Sequence, residues 1–148
     1  MYFSRIYKMI NFLKAVSNPD KYAIELPISK IVADNKVEVK WVQQIINDIK
    51  CGKSIKSIVV VKHPEKEYFA VLDGHHRFWA LKELGMSTIK CAVVGDSIGL
   101  GFYLTKEGVF QPNPIITKYI RIPIKRFNQY IIDFLKNPEK FFRKSKKS

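Results

Sequence analysis

The chain has 148 residues, of which 47% are hydrophobic, and its formal net charge is +13. This length fits one domain with a small extension, and the hydrophobic fraction supports a core, which excludes a chain that is disordered as a whole. No run approaches the roughly 18 apolar residues of a transmembrane helix, and the N-terminus lacks a signal peptide's compact apolar centre. We therefore expect no membrane partner and a soluble, cytoplasmic protein.

The positive charge is concentrated late in the chain. Residues 99–148 contain 11 of the 26 Lys and Arg residues but only 3 of the 13 Asp and Glu residues. The chain ends in "RKSKKS", whose cations are Arg143, Lys144, Lys146 and Lys147. Such a segment could bind DNA through its phosphates or be a solvated lysine-rich surface, and both interpretations stay open.

The first part of the chain reads as a helix followed by extended segments. Residues 4–17 place apolar side chains at spacings of three and four, which predicts an amphipathic helix that "SNPD" ends. The next strand candidates are residues 22–27 and 28–32, and "ADNK" after them predicts a turn. Residues 39–50 again have helical periodicity, and Gly52 suits a helix end.

The middle of the chain alternates strands with one more helix. The β-branched run at 57–61 predicts a buried strand, and residues 68–72 predict its hairpin partner. A helix over 78–84 ends at Gly85, and residues 88–94 form the next strand candidate. The order of these elements favours a mixed α/β or α+β arrangement around a small sheet.

The end of the chain is less regular. Residues 95–102 are rich in glycine and predict a loop, and "QPNP" at 111–114 marks the end of the compact part. Residues 119–124 are either a strand or an extended arm, and residues 127–136 predict a helix. We divide the chain into an N-terminal helix (1–20), a core (21–98) and a basic, helical C-terminal extension (99–148).

Two cysteines, Cys51 and Cys91, lie far apart and form no CxxC pair. Zinc-ribbon and dithiol redox sites therefore have no support, and we expect both thiols to be buried. Trp79, at helical spacing, is expected in the core rather than on a base-stacking surface.

The most polar stretch in the core is "DGHHR", residues 73–77, between a strand and a helix. The first turn of a helix leaves N–H groups unpaired and carries partial positive charge. Gly74 permits close approach of a ligand, Arg77 offers a planar cation, and His75 and His76 offer further donors. Together they predict an anion site, most naturally for phosphate.

Asp73 does not fit a bare phosphate site, because a carboxylate repels phosphate. It could cap the helix, bind a divalent metal ion beside the phosphates, or orient a hydroxyl nucleophile. A dedicated zinc site is not expected, since neighbouring histidine side chains diverge and no third ligand follows at a recognisable spacing.

The order of elements, with "SIVVV", "AVLDGHHRFWALKELG" and "TIKCAVV", resembles the ParB/sulfiredoxin superfamily over residues 25–94. This resemblance implies an α+β fold, a small mixed sheet with surrounding helices. Sulfiredoxins have Gly-Cys-His-Arg at the corner, and this chain has His75 in place of the cysteine, so sulfiredoxin activity is not expected. Partitioning ParB proteins have Gly-Glu-Arg-Arg, of which Gly74 and Arg77 match. They also need a downstream helix-turn-helix domain, for which the residues after Val94 show no clear pattern.

The motif Asp-Gly-His-His-Arg is shared with the free serine kinases of the superfamily, which transfer a phosphoryl group from ADP or ATP. This resemblance implies that residues 74–77 hold nucleotide phosphates, with Asp73 near the reacting hydroxyl or a Mg²⁺ ion. An upstream acid would be the base, and both Asp34 and Glu38 are candidates. Those kinases have a sizeable further segment that helps form the amino-acid pocket, so the motif by itself does not identify the acceptor.

Two other functions stay open. The first is a DNA-binding ParB-like protein of the partition or nuclease type, which uses the basic C-terminus. The second is a domain without catalysis that binds a protein through Phe141 and Phe142. A homodimer is also left open.

Overall fold

The computed structural model describes residues 15, 17–63, 65–94 and 129–142, and the backbone of residues 102–104 and 110–112. The described helices are α1 (Pro19–Tyr22), α2 (Val39–Lys50), α3 (His75–Glu83) and α4 (Gln129–Lys136). The described strands are β1 (Ile24–Pro27), β2 (Ile31–Val32), β3 (Ile58–Lys62), β4 (Phe69–Asp73), β5 (Thr88–Val94), β6 (Phe102–Leu104) and β7 (Phe110–Pro112). Single 3₁₀ turns cover Ile28–Lys30 and Pro138–Phe142.

Five strands form one mixed sheet in the order β1-β5-β3-β4-β2, while β6 and β7 pair separately. The β1–β5 and β3–β4 pairs are antiparallel, and the β5–β3 and β4–β2 pairs are parallel. The α+β class with a small mixed sheet and surrounding helices is therefore confirmed. Among the described helices, none is long and apolar enough to cross a bilayer.

The central strand β3 is buried on both faces, which explains its unbroken β-branched sequence. Because side chains alternate along a strand, Val59 and Val61 join the hydrophobic cluster under α4, and Ile58 and Val60 join the cluster that includes Phe78 of α3. A third, smaller cluster lies between α2 and α3, with Val42, Ile46 and Ala80. These layers fix α3 against the sheet and α2 against α3.

The predicted elements agree closely with the observed ones where periodicity is strong. The helix at 39–50 and the strand at 88–94 have the predicted bounds, and the strands at 57–61 and 68–72 are each displaced by one residue. The predicted strand at 28–32 is wrong in its first part, since a 3₁₀ turn precedes the two residues of β2. Of the predicted helix at 4–17, only residues 15 and 17 are described, and the segments at 95–101 and 119–124 lie outside the described residues.

Two predictions about single residues need correction. The helix of the DGHHR stretch begins at His75, three residues before the predicted start at 78. Cys51 is exposed, because it follows the last residue of α2, where the chain turns outward to Gly52. Cys91 is buried in β5, as expected.

The C-terminal helix is attached to the sheet by a buried histidine. His63, at the end of β3, accepts hydrogen bonds at Nδ1 from the N–H groups of Glu65 (3.1 Å) and Lys66 (3.2 Å). The proton of this ring is therefore on Nε2, which donates to the carbonyl of Leu135 at 2.9 Å. Lys66 also pairs with Glu139 at 2.9 Å, so the β3–β4 connection is joined both to α4 and to the segment that follows it.

Candidate functional site

The DGHHR corner, defined as residues 73–77, lies where β4 ends and α3 begins. Gly74 precedes the helix at φ 107° and ψ 31°, in the left-handed region. A Cβ atom there would lie 2.7 Å from Cγ2 of Ile58 and 2.9 Å from Nη2 of Arg77, so both conformation and space require glycine. Asp73 is not the cap of α3, which corrects one of the roles considered for it; the capping position is Gly74, which has no side chain to offer.

The open start of α3 is the central feature of the corner. The first intrahelical hydrogen bond runs from the N–H of Phe78 to the carbonyl of Gly74, at 2.8 Å. The N–H groups of residues 75–77 therefore precede the helical ladder and have no carbonyl partner within it. Such a turn attracts anions through its N–H groups and through the helix dipole.

Both histidines of the corner bind the loop that precedes α2. Nδ1 of His75 accepts a hydrogen bond from the N–H of Asp34 at 3.1 Å, and Nε2 of His76 accepts one from the N–H of Glu38, also at 3.1 Å. A ring nitrogen that accepts a hydrogen bond carries no proton, so in this arrangement His75 is protonated on Nε2 and His76 on Nδ1. Each ring keeps one N–H group for another partner.

The surroundings of His75 favour its neutral form. Burial lowers its pKa, and the nearby carboxylates of Asp34 and Asp73, which favour the charged form, only partly offset this effect. The ring of Tyr130 packs edge-on against the His75 ring, with centroids 5.4 Å apart. His75 is therefore a neutral donor near pH 7 rather than a permanent cation.

Arg77 is already engaged in the folded protein. Its Nη1 donates to the carbonyls of Lys56 (3.2 Å) and Ser57 (3.3 Å), and its Nη2 lies 3.3 Å from Oδ2 of Asp73. The Arg77 side chain is 17% exposed and that of Asp73 is 50% exposed. The guanidinium thus fixes the segment before β3 and also brings positive charge to the corner.

Asp34 is held by its backbone on two sides. Its N–H binds His75, and its carbonyl accepts a hydrogen bond at 2.8 Å from Nε1 of Trp79. Oδ1 of Asp34 accepts the N–H of Lys36 at 3.1 Å, which closes a tight turn. Trp79 is partly buried and packs against the hydrophobic clusters on both sides of α3, so its predicted place in the core is confirmed in part.

A cleft of about 570 Å³ opens at the corner. Its lining residues are Asp34, Lys36, Val37, Ile45, Ile55, Lys56, Leu72, Asp73, Gly74, His75, His76 and Arg77. All five corner residues and Asp34 are thus brought together, whereas Glu38, the other upstream acid, does not line the cleft. A second cavity of about 340 Å³ lies between the 33–36 loop and α4 and shares Asp34 and Lys36 with the first.

The structure adds two cations that the sequence did not single out. Lys36 and Lys56 line the cleft with Arg77, against the carboxylates of Asp34 and Asp73. Nothing in the sequence distinguishes these lysines from the others, because their position depends on the folding of the two segments around α3. The predicted DNA-binding residues Arg143, Lys144, Lys146 and Lys147 lie outside the described residues.

Within the described ranges, no three residues of the types His, Cys, Asp and Glu cluster as a metal site would require. A Mg²⁺ ion differs, because it commonly uses one or two carboxylates and completes its shell with water and substrate phosphates. The half-exposed Asp73 carboxylate at the cleft could be such a Mg²⁺ ligand.

The chain is similar in sequence to a curated kinase. An ATP-dependent L-serine kinase from Desulfurococcus mucosus is 28% identical over 90 residues, which cover 59% of this chain and 35% of that protein. The chain thus spans about a third of the length of this curated relative.

Two solved structures have similar parts. A free serine kinase in complex with AMP gives a TM-score of 0.46 at 19% identity, over 49% of this chain and 30% of that one. A sulfiredoxin from Arabidopsis thaliana gives 0.45 at 24% identity, over 53% of this chain and 91% of that one. The family model described as the ParB N-terminal domain matches residues 15–105, which include the whole five-stranded sheet and the corner. The chain therefore belongs to the ParB N-terminal domain family.

Proposed function

We propose that the cleft at the DGHHR corner binds the phosphates of ADP or ATP with Mg²⁺, and that the chain is a phosphotransferase or a nucleotide hydrolase. The observation that carries this proposal is the open first turn of α3 at the cleft, preceded by a glycine that admits no side chain. Three cations and two carboxylates line the cleft, so its side chains add net positive charge to that turn.

Each corner residue has a distinct task in this proposal. The backbone N–H groups of residues 75–77 donate to phosphate oxygens, as does the one ring N–H of each histidine, at Nε2 of His75 and Nδ1 of His76. Lys36 and Lys56 neutralise phosphate charge at the cleft wall. Phosphoryl transfer depends mainly on positioning and charge neutralisation, which these groups supply without a covalent nucleophile.

Asp73 would hold the Mg²⁺ ion together with the nucleotide phosphates and water. When bound, the ion would neutralise charge on the transferred group. Arg77 lies 3.3 Å from the Asp73 carboxylate and keeps it directed along the corner. The carboxylate is half exposed, so a hydrated ion has access to it.

Asp34 is favoured over Glu38 as the base. Asp34 lines both cavities, whereas Glu38 contributes its backbone N–H to His76 and does not line the cleft. In the transfer step the acceptor's hydroxyl oxygen bonds to the terminal phosphorus as the bridging P–O bond breaks. Asp34 takes the hydroxyl proton, and the shortened nucleotide leaves with the bridging oxygen.

The similarity to an ATP-dependent L-serine kinase supports a kinase activity, but it covers only 35% of that protein. The acceptor is therefore left at the level of a hydroxyl compound or water. Phosphate release from ATP without an acceptor would indicate the hydrolase form of the proposal.

Calorimetric titration with ADP and ATP, with and without Mg²⁺, tests nucleotide binding. We expect His76→Ala to weaken binding about tenfold, because it removes a donor to a charged phosphate and frees the Glu38 end of the loop. Lys82→Ala is the matched control, since Lys82 lies on the same helix over the rings of Phe78 and Trp79 and does not line the cleft. If the parent protein binds neither nucleotide, the proposal is wrong.

Phosphorus NMR of ATP turnover tests the assignment of the base. Asp34→Asn is expected to lower turnover by roughly a hundredfold or more at unchanged nucleotide affinity, and Glu38→Gln is expected to leave turnover within about threefold. Equal losses in the two variants would contradict the choice of Asp34.

A further inference from the structure

Tyr130 of α4 reaches from the C-terminal segment into the strands that carry the candidate carboxylates. Its side chain is buried, and its hydroxyl lies 2.9 Å from the carbonyl of Val32 and 3.2 Å from that of Val71. A hydroxyl has one proton, so the two carbonyls share a single donor. The residue therefore connects β2 and β4 through their backbones.

The two carbonyls that accept this hydrogen bond lie close in sequence to the candidate carboxylates. Val32 is the last residue of β2 and lies two residues before Asp34, and Val71 lies two residues before Asp73. The β2–β4 pairing comprises only Ile31 with Phe69 and Val32 with Ala70. A two-residue ladder fixes an edge strand weakly, so a donor at its end limits the separation of the two strands where they lead to the acids.

The same tyrosine also supports the histidine between those acids. Its ring packs edge-on against His75 at 5.4 Å, and His75 in turn holds the N–H of Asp34. Tyr130 thus contacts β2, β4 and the first residue of α3. Phe134 and Leu135 of the same helix are buried in the sheet cluster.

We propose that Tyr130 is a positioning residue, which fixes Asp34, Asp73 and His75 relative to one another for the nucleotide chemistry proposed above. This inference rests on the proposed function for its catalytic meaning, but the contact itself exists without nucleotide. Tyr130 lies outside the matched family region of residues 15–105, so the chain's own C-terminal helix supplies this support.

The hydroxyl acts as a donor rather than as a proton carrier. Burial raises the pKa of Tyr130 well above 10, and the nearby charge of Asp34 raises it further. The phenol stays protonated over the whole range in which the protein would work. A variant that keeps the ring and removes the hydroxyl therefore isolates the contact with the two carbonyls.

The test compares Tyr130→Phe with Phe134→Leu, a change in the same helix that touches His63 rather than the corner. Two quantities are measured by NMR in the nucleotide-free protein: the exchange rate of the Asp34 amide proton, and the ring nitrogen shifts of His75. The affinity for ADP with Mg²⁺ is measured by calorimetry. Melting temperatures report the stability loss of each variant.

We expect Tyr130→Phe to raise the Asp34 amide exchange rate and the ADP dissociation constant at least about fivefold, which corresponds to one lost hydrogen bond. His75 should lose the fixed tautomer with its proton on Nε2. Phe134→Leu should lower the melting temperature but leave the amide, the tautomer and the ADP affinity near those of the parent.

The inference is overturned if Tyr130→Phe leaves these three readouts unchanged, or if both variants alter them equally, since Tyr130 would then contribute only stability. If the parent protein does not bind ADP, the proposed function fails by itself. The amide exchange and the His75 tautomer then still decide whether Tyr130 fixes the corner.

Discussion

Replacing Gly74 by alanine tests whether the corner is built around a close approach of backbone and side chains. Three glycines have positive φ in the described part of the chain: Gly52 (86°), Gly74 (107°) and Gly85 (81°). A Cβ atom at Gly52 or Gly85 would meet nothing within 4 Å, whereas one at Gly74 would meet Ile58 at 2.7 Å. Gly52 and Gly85 are therefore matched controls, because alanine at either position has the conformational cost of a positive φ without the steric cost.

The expected costs follow from these two terms. An L-residue in the left-handed region costs about 1–2 kcal/mol, which applies at all three positions. Forcing a methyl group against a packed side chain adds about 1–3 kcal/mol, and this applies at Gly74 only. Gly74→Ala should therefore lower the free energy of unfolding by about 2–5 kcal/mol, against about 1–2 kcal/mol for Gly52→Ala and Gly85→Ala.

Urea unfolding of the parent and the three variants measures these differences directly. With a slope of about 1–3 kcal/mol/M, the extra cost at Gly74 moves the midpoint by roughly 1 M below those of the controls. The reasoning is refuted if all three variants have the same midpoint, because the contact of the corner with Ile58 would then be absent. Nucleotide binding by Gly74→Ala at full strength would refute the role of the corner in binding phosphate.

Burial lowers the pKa values of His63 and His75 below the ordinary 6.5. Below about pH 6.5 the unfolded chain therefore binds more protons than the folded protein, and the free energy of unfolding should fall as the pH decreases. Urea midpoints near pH 7.5 and pH 5.5 check this, and equal midpoints contradict it. A thiol reagent should modify the exposed Cys51 in the folded protein and spare Cys91, because burial raises the pKa of the Cys91 thiol to about 12. Modification of both thiols at equal rates would contradict the fold. If the basic C-terminus binds DNA, removal of residues 143–148 should weaken binding and reduce its salt dependence in a filter assay, and unchanged binding would exclude that role.

The helices and strands that the sequence predicted best are those with one clear hydrophobic pattern. Residues 39–50 have an apolar stripe with Gly52 after it, and residues 88–94 form a continuous strand. The start of α3 was predicted three residues late because its first turn is polar and its cap is a glycine without a capping side chain. The helix is also in contact with more than one layer, since Phe78 and Ala80 belong to different clusters, which weakens any single stripe.

The position of the candidate site could be predicted, but its partners could not. The DGHHR stretch lies between a strand and a helix, as its neighbours in sequence indicate. Its contacts with the 34–38 loop join residues 41 and 38 positions apart, and that of Tyr130 with Val32 spans 98 positions. Such contacts depend on the order of strands in the sheet, which local periodicity does not determine.

The two adjacent histidines have a use that neither a metal site nor a generic charge cluster would explain. Successive residues of a helix point about 100° apart, so His75 and His76 reach different points of one loop, the N–H groups of Asp34 and Glu38. Each ring can hold the loop only while its accepting nitrogen lacks a proton. Under the proposed function, the other nitrogen of each ring then donates its N–H to a phosphate. A doubly protonated ring would lose the loop, so added positive charge would disorder the wall that carries Asp34. In the proposed site, the two histidines therefore fix the loop and donate hydrogen bonds to the anion, and they do not bind the anion through charge alone.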